Sequence, residues 1–166
     1  SAALGSAPHL ASELLNIVAD IKVEHIPYNG TAPAVQALVS GTVDSYMGGV
    51  SSVLPHVEAG KAKIMGAVSA HRLSALPNVP TLKEQGIDVA YDSWYGLMGP
   101  AGMDPALVQR IYDDVQRAMV DDSVTGPMKT AGILTEDVGP APFKQTMERE
   151  TVQWRKVIQE AGLKPE

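Results

Sequence analysis

Two short stretches, Gly5-Ser6-Ala7-Pro8 and Gly30-Thr31-Ala32-Pro33, set glycine, a hydroxyl residue, alanine and proline ahead of a run with helical periodicity. The first turn of a helix leaves backbone N–H groups unpaired, and the aligned peptide dipoles place partial positive charge there. Glycine lets a ligand approach the backbone, a Ser or Thr hydroxyl caps the turn or bonds the ligand, and proline in the first turn costs little. Together these residue types make an anion cradle that needs no lysine or arginine. Gly48-Gly49-Val50-Ser51-Ser52 repeats the theme with two glycines and two serines. Three neutral, donor-rich loops suit a small carboxylate or phosphate better than a hydrophobe. A single such loop is also an ordinary way to begin a helix, so it is the repetition that points to a ligand.

The elements that must position these loops follow from periodicity. Leu10, Leu14, Ile17 and Val18 fall on one helical face, and "KVEHIPY" (22–28) reads as a strand ended by Pro27. Val35, Leu38 and Val39 mark a second short helix, followed by a strand over 43–50, a helix over 51–59 and a strand over 62–68. Strand and helix patterns alternating at this spacing imply βαβ units and a mainly parallel sheet. The loops then converge at the carboxyl ends of the strands, where ligands bind in such sheets. Residues 69–86 loosen into a proline-punctuated connection with one helical turn over 81–85, and an extended stretch covers 87–102. Asp104 with Pro105 opens a helix striped by Leu107, Ile111, Val115 and Met119. A short helix over 121–131, a short strand over 133–138 and a long final helix ended by Gly162 complete the chain; Phe143, Met147, Trp154, Val157, Ile158 and Ala161 stripe the last helix.

Bulk composition narrows the function. The 166 residues carry a net charge of −6, with basic residues scattered, which argues against a nucleic-acid partner. No apolar run reaches the roughly 20 residues needed to span a bilayer. No cysteine is present, and His9, His25, His56 and His71 show no metal-ligand spacing, so neither metal nor cofactor is expected. Ser6 with His9 raises a hydrolase alternative, but no G-x-S-x-G elbow is present and Ser6 reads as a cap. Asp44 opens a strand, where its carboxylate suits backbone N–H groups or a substrate hydroxyl or amine. Trp94 reads as packing.

Longer motifs then carry a resemblance. "HIPYNGTAPAVQALVSGTVD", "LPHVEAGKAKIMGAVSAHRLSALPNVPTLKEQG", "SWYGLMGPAG" and the ending "AGLKPE" resemble the solute-binding proteins of tripartite tricarboxylate transporters, the Bug-type periplasmic receptors. The resemblance implies a type II periplasmic-binding-protein fold, in which two α/β lobes close over a small carboxylate and deliver it to membrane components of the transporter. It implies that residues 1–90 are the second lobe, with the ligand-facing loops. Residues 91–166 are then a hinge strand and the C-terminal helices of an incomplete first lobe. With Ser1 at its start and no signal peptide, the chain reads as N-terminally truncated, from a periplasmic parent.

Gly5, Ser6 and Ala7 match the family's helix entrance and are the first expected ligand contacts, with His9 on the turn that follows; Tyr28, Gly30 and Thr31 come next, Tyr28 reading equally as core, and Asp44, Gly48 and Gly49 lie beyond. Gly48 and Gly49 stand where many relatives place an Asp/Asn pair, so a roomier, less polar loop and a bulkier or less hydroxylated acid are expected. The apolar stripes of the C-terminal helices lack their usual partner, which predicts a homodimer or a swapped arrangement; a monomer with mobile C-terminal helices is the alternative. A folding unit with no ligand function of its own is a further reading.

Overall fold

A computed structural model describes residues 1–131 and 133–163. The Lys164-Pro165-Glu166 of the closing motif lies outside the described residues. The chain divides into two compact units, one formed by Ser1–Ser93 with Trp154–Glu166, the other by Trp94–Gln153.

The first unit carries α1 (Ala7–Ala19), α2 (Thr31–Val39), α3 (Val50–Glu58) and a single 3₁₀ turn, Lys83–Gln85. The second carries α4 (Pro105–Ala118), α5 (Asp122–Thr130) and most of α6 (Pro140–Glu160), whose residues from Trp154 onward belong to the first unit. Each helix lies within about two residues of the position its periodicity predicts. In the second unit α4 and α5 begin on side-chain caps. The Asp104 carboxylate accepts the Ala106 N–H at 2.8 Å, with Pro105 at the first helical position, and Asp121 accepts the Ser123 N–H at 2.8 Å.

The end of α1 is held by Asn16. Its carbonyl accepts the N–H groups of Asp20 and Ile21, and its side-chain amide brackets Val23 by accepting the Val23 N–H at 3.0 Å and donating to the Val23 carbonyl at 3.1 Å. Asp20 turns the chain there in the left-handed region, at φ 50°. A Cβ is strained in that conformation and glycine is not. Asp20→Gly is therefore expected to raise stability by about 0.5–1 kcal/mol, read as an upward shift of the thermal midpoint.

The segments expected as strands run extended without forming continuous ladders. Among the described residues a parallel bridge pairs Ala67, in the strand expected over 62–68, with Thr81, in the stretch expected as a helical turn. Single backbone bonds trace the remaining alignment. Tyr28 and Gly30 donate to the carbonyls of Ser1 and Ala2, and Tyr91 donates to that of Val68. Parallel strands are stable when both faces are covered, whereas Val23, Ile26 and Met65 are exposed.

The buried apolar residues are small: Ala11, Ala34, Val35, Ala37, Ala67, Val89 and Val157, all in the first unit. Tyr91 packs edge-on against Trp154 in the same unit. The apolar stripe of α1 is not its buried side: Ile17 and Val18 are exposed, and the residues of α1 that are buried are His9 and Ala11. That face packs toward the segment carrying His25, whose ring stacks on His9. In the second unit Leu107 and Val115 are exposed on α4, and Trp94 packs edge-on against Phe143 while its indole N–H donates to Glu150 at 2.8 Å.

Residues 69–86 are clamped by a reciprocal pair invisible to the periodicity reading. The Thr81 N–H donates to the Glu84 carboxylate at 2.7 Å, and the Glu84 N–H donates to the Thr81 hydroxyl at 3.1 Å, a capping box on the 3₁₀ turn. Arg72 completes the clamp, donating to both Glu84 oxygens and to the Pro77 carbonyl. The Arg72 guanidinium, then the Thr81 N–H, hold the Glu84 carboxyl below its ordinary range. The R-x-x-x-LP-x-VPT motif is thus a loop fastener.

Candidate functional site

Backbone hydrogen bonds and one groove bring the three helix entrances of the first unit side by side. The donation of Tyr28 and Gly30 to Ser1 and Ala2 lays the first entrance against the second. Beside the second, a groove of about 440 Å³ between α2 and α3 is lined by Thr31, Ala32, Val35, Gln36, Ser52 and His56.

At the first entrance Ser6 occupies the N-cap position but does not cap. Its hydroxyl donates to the Ala3 carbonyl at 2.7 Å. The Gly5 N–H donates to His9 Nδ1 at 2.9 Å. Both donors are thus engaged within the protein, and Ala7 is the first residue of α1. His9 is buried, against the expectation from its place on a first turn, because its ring serves the Gly5 turn on one side and stacks on His25 on the other, centroids 3.9 Å apart.

At the second entrance Gly30 adopts φ 115°, ψ 172°, a conformation that side chains effectively bar. Tyr28 is half-buried and Thr31 is exposed at the first position of α2. At the third, Gly49 is the N-cap of α3, and the Ser52 hydroxyl donates to its carbonyl at 2.6 Å. The space above Gly48 is not open. A Cβ there would overlap the Tyr46 ring, whose hydroxyl lies 3.5 Å from the Ser52 hydroxyl. The expected roomier loop is therefore an aromatic-walled one.

The N–H groups of Thr42 and Val43 bond to the Ala37 carbonyl, so Asp44 follows the far end of α2, about 13 Å of helix rise from Thr31. Of the groove-lining residues, Gln36 and His56 were not singled out from the sequence. One-turn spacing was the signal for both: Gln36 lies four residues after Ala32, and His56 four after Ser52.

The entrances share one electrostatic feature. None of α1, α2 and α3 has a side-chain cap or an acidic residue in its first turn. The Asp caps of α4 and α5 mark the contrast. First-turn N–H groups such as those of Ala7, Thr31, Ala32, Val50 and Ser51 have no side-chain capping acceptor among the described residues, an arrangement whose dipole favours an anion. The described residues include no cluster suited to a metal ion and no helix long and apolar enough to cross a membrane.

The His25 ring is held low, at about 4 against an ordinary 6.5, by burial first and then by the His9 ring. A proton is therefore taken up at higher pH by the unfolded chain than by the folded one. The stabilising effect is complete above about pH 6.5 and is lost as pH falls toward 4. Discounted for solvent screening, the loss is on the order of 1 kcal/mol. Denaturant midpoints measured across this range should fall in the native protein and fall less in His25→Gln.

The chain matches the family model described as the tripartite tricarboxylate transporter family receptor over residues 1–163. It is 34% identical over 167 residues to a UPF0065 protein in the tcbD-tcbE intergenic region of Pseudomonas sp. strain P51, covering 98% of this chain and 49% of that protein. It is 28% identical to protein BugT of Bordetella pertussis, covering 98% of this chain and 50% of BugT. Among solved structures, an R. palustris protein with adipate superposes with TM-score 0.84 at 28% identity, over 100% of this chain and 56% of that one. MatC of Rhodopseudomonas palustris with bound malate gives TM-score 0.80 at 29% identity, over 95% and 55%. The chain thus spans about half the length of these relatives, and its fold is that of part of a type II periplasmic binding protein. With helix entrances lacking side-chain caps, and sequence and fold similarity along nearly the whole chain, this protein belongs to the tripartite tricarboxylate transporter receptor family.

Proposed function

We propose that this chain captures a small organic carboxylate reversibly, in the periplasm, for delivery to the membrane components of a tripartite transporter. The observation that carries the reading is the set of adjacent helix entrances without cap or first-turn acid. A carboxylate set against them accepts charge-assisted bonds from first-turn N–H groups, and each entrance contributes about 0.3–1 kcal/mol through its dipole. Ala7, Gly30, Thr31, Gly48 and Gly49 supply or shape these contacts, and Tyr28 walls the second entrance. Gly5, Ser6 and His9 hold the first turn rather than touch the ligand. Residues 1–90 act as the ligand-bearing lobe and 91–166 as hinge and returning helices.

No chemistry accompanies capture. Ser6 donates to Ala3 and the His9 Nδ1 accepts from Gly5, so the two form no nucleophile and base pair. Adipate and malate, each bound by a relative, are the first ligands to titrate by calorimetry. Saturable binding of either without turnover supports the reading. Absence of binding to any small di- or tricarboxylate overturns it, and leaves a folding unit without ligand function. That second reading draws on the chain spanning half of its relatives, since half of the contacts carries a large affinity loss. The exposed Leu107 and Val115 on α4 favour a homodimer, which light scattering reads as twice the 17.5 kDa chain mass.

A further inference from the structure

We infer that the stacked His9–His25 pair is a pH-sensitive latch on the first helix entrance: uncharged, it holds the turn at Gly5 and Ser6, and a proton on it releases that turn and weakens anion capture. The inference rests on the reading of the entrances as an anion site and names a regulation of that site.

His9 is 1% exposed, and its Nδ1 accepts the Gly5 N–H at 2.9 Å. An accepting Nδ1 carries no proton, so the ring is neutral with its proton on Nε2, which faces the Glu13 carboxylate at 3.5 Å. The His25 ring lies on its face, centroids 3.9 Å apart and planes 22° from parallel, with Nε2 2.7 Å from the Ser1 hydroxyl. Among the described residues Glu13 from α1 is the charged side chain facing the pair, and Ser1 approaches His25 through its hydroxyl.

Two cationic rings at that separation repel, so the stack is stable with both rings neutral and accepts protons one at a time. A proton on His9 Nδ1 turns the acceptor of the Gly5 N–H into a second donor, and that bond breaks. The new charge is offset by Glu13, so what changes at the entrance is geometry rather than field. The first turn is otherwise tied through Ser6 to Ala3, and Ser1 and Ala2 are bonded to Tyr28 and Gly30. A freed Gly5 therefore disturbs the second entrance as well as the first.

The test follows the Gly5 amide and the two imidazoles by NMR from near pH 8 to near pH 4.5, without ligand, in the native chain, His9→Asn and His25→Phe. The Gly5 amide is expected to shift and lose exchange protection with the midpoint of the His9 ring. In His9→Asn, where an amide carbonyl accepts from Gly5 without titrating, it stays constant. In His25→Phe, which keeps a ring on the His9 face without a second titrating group, the Gly5 amide still follows the His9 ring. Adipate affinity of the native chain relative to His9→Asn should fall about five-fold between near pH 7.5 and near pH 5, the worth of one hydrogen bond. The ratio cancels the titration of adipate itself. A Gly5 amide that ignores the His9 titration overturns the latch. Failure of adipate to bind at either pH counts against the anion site, while the amide titration still decides the latch.

Discussion

Thr31→Asp should lower carboxylate affinity by about 100-fold, roughly 2–3 kcal/mol, while leaving the protein as stable or slightly more stable. Both effects have one cause. Thr31 is the first residue of α2, exposed and lining the groove, with no acid in its turn. A carboxylate placed there faces the same first-turn N–H groups the ligand would use. It stabilises the helix terminus by about 0.3–1 kcal/mol and repels an incoming anion. Calorimetric titration with malate and a thermal melt on the same preparation read the two signs together. Loss of affinity accompanied by loss of stability would mean the variant had damaged the fold instead. Unchanged affinity would remove the second entrance from the site. Thr31→Val, which keeps the backbone donors and removes the hydroxyl, is expected to cost far less, because the backbone carries the contact.

Gly48→Ala should destabilise the first unit by about 1–3 kcal/mol although it adds a single methyl group. The added carbon overlaps the Tyr46 ring and hydroxyl, and a ring cannot yield without leaving its place beside Ser52. Gly49→Ala, whose Cβ meets nothing within 4 Å, is expected to be close to neutral. The decisive measurement is the double variant Gly48→Ala with Tyr46→Ala. If the Tyr46 overlap is the cause, the two losses are strongly non-additive and the double variant recovers much of the cost of Gly48→Ala. Additive losses would show that Gly48 matters for another reason. The outcome also bears on the ligand, because Tyr46 closes space that a glycine pair alone leaves open.

Local rules determined much of this protein. Helix positions followed from periodicity, because a helix draws its hydrogen bonds from its own neighbours. The Asp104-Pro105 start was legible for the same reason: its cap bond reaches only from Asp104 to Ala106. The Thr81-x-x-Glu84 capping box was equally local and could have been read. The repeated Gly-hydroxyl-Ala-Pro entrances marked where backbone donors would lie unpaired.

Only the tertiary structure decided where the donors went. A sequence cannot tell that the Ser6 hydroxyl turns back to Ala3, or that Gly5 bonds to His9. Nor does it tell that Tyr46 fills the space over Gly48, or that Gln36 and His56 face one groove. The strands were the other limit. Extended conformation is written in β-branched and aromatic residues, but a ladder needs partners supplied by distant segments, and here the pairing is a parallel bridge of Ala67 with Thr81 and scattered single bonds. The stacking of His9 on His25 lies at the same limit, since contact between residues 16 positions apart depends on how α1 and the segment after it fold back together.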